Sequence, residues 1–248
     1  YCSSKSIEFL TTSFGPLSTN FIAKLDMKFS KIPSGEITNL PYLEEIADLK
    51  NKIIMSTGMA NIDEIENALN VLYNKGVNKE NITLLHCTSE YPAPFENLNL
   101  NALKTLKNVF GLNIGYSDHS LGIEASIAAV AMGATVIEKH FTLDKNLDGP
   151  DHKASIEPKD LKLLVQSIRN IELASGSSQK KVSSGENMNK IISRKSIVAS
   201  KNINKGEMFT EENIACKRPG TGLSPMNWKK VIGKISQKKY KTDDFITL

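Results

Sequence analysis

The feature that most constrains this chain is a repeated alternation. Short, nearly continuous apolar runs with polar C-terminal ends are separated by stretches of helical periodicity. Six such runs read as strands: 7–12 (IEFLTT), 29–33 (FSKIP), 52–57 (KIIMST), 82–88 (ITLLHCT), 113–117 (NIGYS) and 135–141 (TVIEKHF). A strand apolar on both faces needs cover on both faces, which a parallel sheet flanked by helices provides. Helical spacing lies between the runs. In 61–75 the residues Ile62, Ile65, Ala68, Leu69 and Leu72 form one stripe, with Asn61 and Glu64 placed as a capping box. An alanine-rich helix over 123–132 should stop at Gly133, and from Pro158 onward Leu161, Leu164, Val165, Ile168 and Ile171 repeat with helical spacing. Alternating strand and helix predicts an α/β fold. Polar residues recur at the C-terminal end of every strand, where barrel sites gather. That favours a (β/α)8 barrel short of two units over an open doubly wound sheet, whose site collects at one switch point.

After this the pattern changes. Residues 175–189 (SGSSQKKVSSGENMN) are rich in Ser, Gly and Lys and read as a linker. Short strand-like pieces follow at 196–199, 214–217 and 231–236, so a small β-rich domain is expected over 190–248 behind a first domain over 1–174. The 31 basic and 27 acidic residues of the 248 leave a net charge of +4 with no basic block, which permits an anionic substrate and gives no argument for nucleic acid. Three scattered cysteines without a CxxC fit a reduced, cytoplasmic protein. No apolar run is long enough to span a bilayer.

The candidate chemistry sits at the strand ends. His119 (GYSDH) and His140 (EKHF) should both enter the barrel mouth from adjacent strands, and neutral imidazoles suit a divalent cation such as Mn²⁺. Spacing alone leaves an alternative equally open, that both are satisfied polar groups at strand ends. Of the other two histidines, His86 reads as packing inside an apolar strand and His152 as a loop residue. Thr12, Lys31, Ser34, Ser56, Ser89 and Ser117 offer one cation and several hydroxyls, a set suited to a phosphorylated ligand; Gly35 and Gly58 allow close backbone approach. Glu138 lies two residues before His140 and so shares its face. Its bland alternative is a salt bridge with Lys31 or Lys139.

The strings FLTTSF, KIPSGEITNLPYL, MSTGMA, LLHCTSEYPAP, GYSDHSLGIE, GATVIEKHFTLD and GPDHKAS, in this order, resemble the N-acetylneuraminate (sialic acid) synthase family, which includes legionaminic acid synthases. KSIVASKNINKGE and KRPGTG resemble its appended SAF, or antifreeze-like, domain. The resemblance implies a TIM barrel followed by a SAF domain. It implies condensation of phosphoenolpyruvate with N-acetylmannosamine, or with the diacetamido sugar that leads to legionaminic acid, with release of phosphate. It also implies a divalent metal, Mn²⁺ or Mg²⁺, on His119 and His140, with Glu138 catalytic beside them. Phosphoenolpyruvate would be held by Thr12, Lys31, Ser34, Ser56, Ser89 and Ser117, and the amino sugar by Tyr91, Glu138, Asp151 and Arg218. Arg218 would reach the barrel of a neighbouring subunit, making a domain-exchanged homodimer. The first two strands of the family barrel have no counterpart, so an N-terminal portion is expected to be missing and the 248-residue piece inactive. The rival from another class is a non-catalytic sugar-binding protein.

Overall fold

The computed structural model describes residues 1–248, which form two compact units, Tyr1–Gly176 and Ser177–Leu248.

In the first unit α1 (Pro16–Ile22) precedes five strands: β1 (Phe29–Ile32), β2 (Lys52–Ser56), β3 (Ile82–Cys87), β4 (Asn113–Asp118) and β5 (Ile137–Lys139). Every neighbouring pair is parallel and the spatial order is β1-β2-β3-β4-β5. Each step is bridged by one helix: α2 (Leu40–Asp48), α3 (Ile62–Asn74), α4 (Ala102–Phe110) and α5 (Glu124–Ala131), with α6 (Pro158–Ser175) after β5. The order never reverses, so there is no switch point of the doubly wound kind. The sheet is also curled. Lys31 on β1 and Glu138 on β5 form an ion pair at 3.2 Å, whereas four flat inter-strand steps would hold them roughly 19 Å apart. A parallel sheet that brings its first and fifth strands together is half of a barrel wall.

The core lies between this wall and the helices. Ile32, Ile53, Met55, Leu84 and Ile114 from the strands pack on Leu43, Ile46, Leu69, Leu72 and Leu103 from the helices, all buried. Asn61 and Glu64 form the expected capping box on α3. Gly133, at φ +101°, lies just past the end of α5. The backbone beyond β5 adds one further parallel bridge, Phe141 with Ile156.

Segment 7–12 corrects an expectation. It forms no strand, and the sheet order begins at β1. Ile7, Phe9 and Leu10 are exposed. Apolar content makes a strand possible, and a paired neighbour makes it real.

In the second unit, α7 (Ser184–Ser193) occupies part of the expected linker. Ser183 accepts from the Glu186 backbone amide, and Glu186 returns the bond to Ser183 N, a complete capping box. Strands β6 (Ser196–Ala199) and β7 (Ile214–Lys217) pair antiparallel as expected. The third expected strand is absent: Val231 ends α8 (Trp228–Val231), Gly233 turns the chain at φ +82°, and only Ile235 bridges, to Met208. Ile197, Ile203, Phe209, Ile214, Val231, Tyr240 and Ile246 form a separate small core. No helix of the chain is long and apolar enough to cross a membrane.

Candidate functional site

A cavity of about 600 Å³ opens at the C-terminal ends of the five strands. It collects Lys31 from β1, Ser56 from β2, Ser117 from β4 and Glu138 from β5, together with Thr12, Ser34, Ser89, Tyr91, His119 and His140 from the adjoining segments. Ten of the twelve expected site residues therefore share one space. Gly35, expected to allow close backbone approach, is in the wall too; Phe14, Pro33, Met59 and Cys87 complete it and were not singled out from the sequence. Cys87 sits at a strand's polar end, and that position was the available signal.

The two imidazoles are neighbours, with ring centroids 5.3 Å apart and planes at 71°. His119 Nδ1 lies 2.7 Å from the carbonyl oxygen of Thr88. A carbonyl only accepts, so Nδ1 carries the proton and Nε2 of the neutral ring is left with a free lone pair. Burial is the main cause that holds the His119 pKa below its ordinary value, and the nearby His140 pushes the same way, against the Thr88 bond. The ring is thus kept in the form that binds cations. Tyr91 covers the pair, 4.2 Å from the His119 centroid and 5.5 Å from that of His140. It is held there by a loop whose Ala93 amide donates to His119 O at 2.9 Å. Asp151 lies beyond His140, its Oδ2 3.6 Å from Nδ1, and does not line the cavity.

These groups fit a divalent cation in part. No three His, Cys, Asp or Glu side chains converge as a complete cage. Two nitrogens with water and substrate oxygens filling the remaining positions is a donor set for an open, reactive site.

The positive charge of the cavity comes from Lys31. Lys31 is buried, and its only counter-ion is Glu138. Ser117 donates to the other oxygen of Glu138 at 2.7 Å and lies 3.4 Å from His119 Nε2, which links the cationic end to the imidazole end. Of the two possible salt bridges of Glu138, the one to Lys31 exists, and Lys139 is engaged elsewhere, with Asp118 at 2.9 Å. Ser56 Oγ is buried without a hydrogen-bond partner, a cost of about 1–3 kcal/mol unless a ligand satisfies it. Gly58 donates its amide to Ser34 Oγ at 3.0 Å. A Cβ at Gly58 would meet Ser89 Oγ, with Cys87 Sγ at 2.7 Å and Ser34 Oγ at 2.8 Å.

The other histidines take the expected structural places. His86 donates from Nε2 to Leu98 O at 2.7 Å and stacks on Tyr116. His152 bonds Thr142 Oγ1 at 2.7 Å in a 3-10 turn. Arg218 belongs to the second unit, where its Nε donates to Ser193 O at 3.0 Å.

The chain is 57% identical over 241 residues to N,N'-diacetyllegionaminic acid synthase of Campylobacter jejuni, covering 97% of this chain and 72% of that protein. It is 45% identical to the enzyme of the same name from Legionella pneumophila, covering 93% and 65%. The chain thus spans roughly two thirds to three quarters of these relatives' lengths. The solved sialic acid synthetase of Leptospira borgpetersenii superposes with a TM-score of 0.70 at 38% identity, over 75% of this chain and 65% of that one. Residues 1–180 match the NeuB family and residues 194–248 match the SAF domain, so the chain is a member of the NeuB family carrying a SAF domain.

Proposed function

We propose that the protein joins phosphoenolpyruvate to an N-acetylated amino sugar, releasing phosphate and forming a nonulosonic acid. The names of the two diacetyllegionaminic acid synthases favour a 2,4-diacetamido acceptor over N-acetylmannosamine. The observation that carries the reading is the shared cavity: a buried lysine and an unpartnered buried serine together with two adjacent imidazoles.

In this reading Lys31, Ser34, Ser56, Ser89, Ser117 and Thr12 hold the phosphate and carboxylate of the donor. A positive charge with several hydroxyl donors matches that trianion. Tyr91 and Glu138 orient the open-chain sugar so that its aldehyde carbon meets the donor's methylene carbon, and Asp151, outside the cavity lining, would reach a sugar extending past His140. Glu138 stands between Lys31 and Ser117, where it can take up or return a proton as water adds to the pyruvyl carbon and phosphate leaves. A divalent cation, Mn²⁺ or Mg²⁺, held by His119 and His140 would supply Lewis acidity at the aldehyde oxygen. Arg218 would recognise the N-acetyl group from a partner subunit in a domain-exchanged homodimer. Three free cysteines are in keeping with a cytoplasmic setting.

The test is phosphate release from phosphoenolpyruvate by the purified full-length protein, with the two acceptors in competition. Release should require both acceptor and divalent cation, and the diacetamido sugar should win. Release that ignores the sugar would reject the reading.

A further inference from the structure

Behind the two imidazoles, on the face of the sheet away from the cavity, lies a second polar cluster with no part in the chemistry above. The register explains it. Ser117 of β4 stands opposite Glu138 of β5, and Asp118 opposite Lys139. Side chains alternate along a strand, so the first pair enters the cavity and the second is sent to the helix side. There Asp118 is completely buried, and the Lys139 side chain is 5% exposed. Their charges meet at 2.9 Å between Nζ and Oδ2.

Every acceptor site of the carboxylate is used. Asp118 Oδ1 accepts from Ser120 N at 2.9 Å and Ser120 Oγ at 2.6 Å, and Oδ2 also accepts from Ser126 Oγ of α5 at 2.5 Å. Lys139 gives a further bond to Ser120 O at 2.8 Å. Asp118 and Ser120 flank His119, and Lys139 immediately precedes His140. One closed network therefore grips the backbone on both sides of one imidazole and the residue next to the other.

A buried ion pair is a poor means of adding stability, since apolar replacements of similar volume do as well or better. It is a good means of fixing a geometry, because a fully satisfied network tolerates one arrangement only. We infer that Asp118 and Lys139 are positioning residues that set the distance and orientation of His119 relative to His140, and through them the affinity of the site for a divalent cation. The second half of this statement rests on the proposed metal role of the two histidines; the first half does not.

The experiment compares wild type with the double variant Asp118→Val/Lys139→Met, which removes both charges together and leaves neither unpaired. Three quantities are read: the melting temperature, the Mn²⁺ dissociation constant from the electron paramagnetic resonance signal of free Mn²⁺, and the side-chain ¹⁵N shifts of His119 and His140 without metal. The folded variant should bind Mn²⁺ at least about ten-fold more weakly, the usual effect of losing an outer partner of a ligand, and both imidazole shifts should move. Ser126→Ala keeps both charges and removes one bond to Asp118, so it carries the test if the apolar pair does not fold; it should weaken Mn²⁺ binding about three-fold and move the His119 shift. Unchanged imidazole shifts in a folded variant overturn the positioning claim. If wild type itself binds no Mn²⁺, the metal reading fails, and the shifts alone decide whether the network positions the rings.

Discussion

Replacing Gly58 by alanine should damage the cavity while leaving the fold in place. Gly58 is needed for space rather than for backbone freedom. Its Cβ would overlap Ser89 Oγ and stand 2.7 Å from Cys87 Sγ and 2.8 Å from Ser34 Oγ. All three are side-chain atoms and can rotate, but Cys87 is buried and Ser34 Oγ is bonded to the Gly58 amide, so each must leave its present place. Overpacking of this kind costs about 1–3 kcal/mol. At roughly 2–4 °C per kcal/mol for a chain of this size, the melting temperature should fall by about 2–12 °C. The rotated Ser34 and Ser89 no longer face the donor. A loss of about 1.4 kcal/mol in binding would raise the KM for phosphoenolpyruvate ten-fold. Circular dichroism melting and a donor titration of phosphate release measure both effects. The control is Gly35→Ala, because Gly35 has no heavy atom within 4 Å of its added Cβ; its stability should stay within about 0.5 kcal/mol. A Gly58→Ala protein with wild-type melting and wild-type KM would refute the reasoning, as would an equal fall in melting temperature from Gly35→Ala.

Three further outcomes are expected. Lys31→Ala removes the buried cation of the cavity and leaves Glu138 without its counter-ion, so donor affinity should drop by about 2–5 kcal/mol, read as KM. Burial, opposed by the bond to Leu98, holds the His86 pKa below its ordinary 6.5; the unfolded chain then binds the extra proton first, so stability is full above pH 6.5 and declines as pH falls through the native pKa, by at most about 1.4 kcal/mol per pH unit from this group. Denaturant unfolding at stepped pH should show a flatter decline for His86→Gln. Ser183→Ala removes the cap of α7 and should cost the second unit about 1 kcal/mol, seen as faster amide exchange in the first turn of that helix.

The parts of this molecule that were legible in the sequence are those where local pattern and tertiary burial agree. Strands β1 to β4 follow their apolar runs closely because each is covered on both faces. The α3 stripe and its capping box are local features and were readable as such. Segment 7–12 has strand composition, but pairing is decided by a neighbour that composition does not reveal. Helix α7 begins in a polar stretch that reads as a linker and buries none of its residues: its apolar residues Met188, Ile191 and Ile192 share one face but stay exposed; that spacing and the Ser183–Glu186 capping pattern were its local signals. At the site, alternation placed Glu138 and His140 on one face. It could not say that Glu138 meets Lys31 rather than Lys139, because that contact depends on the curl of the sheet across five strands. The Asp118–Lys139 pair was hidden for a related reason: it requires the register of β4 against β5.

The central claim is that His119 and His140 hold one divalent cation at the head of the cavity. Crystals soaked in Mn²⁺ and measured near its absorption edge test this directly. The account predicts a single anomalous peak in bonding contact with a nitrogen of each ring, lost in His140→Ala. A peak elsewhere, or two rings with no metal between them while catalysis still requires Mn²⁺, would contradict it.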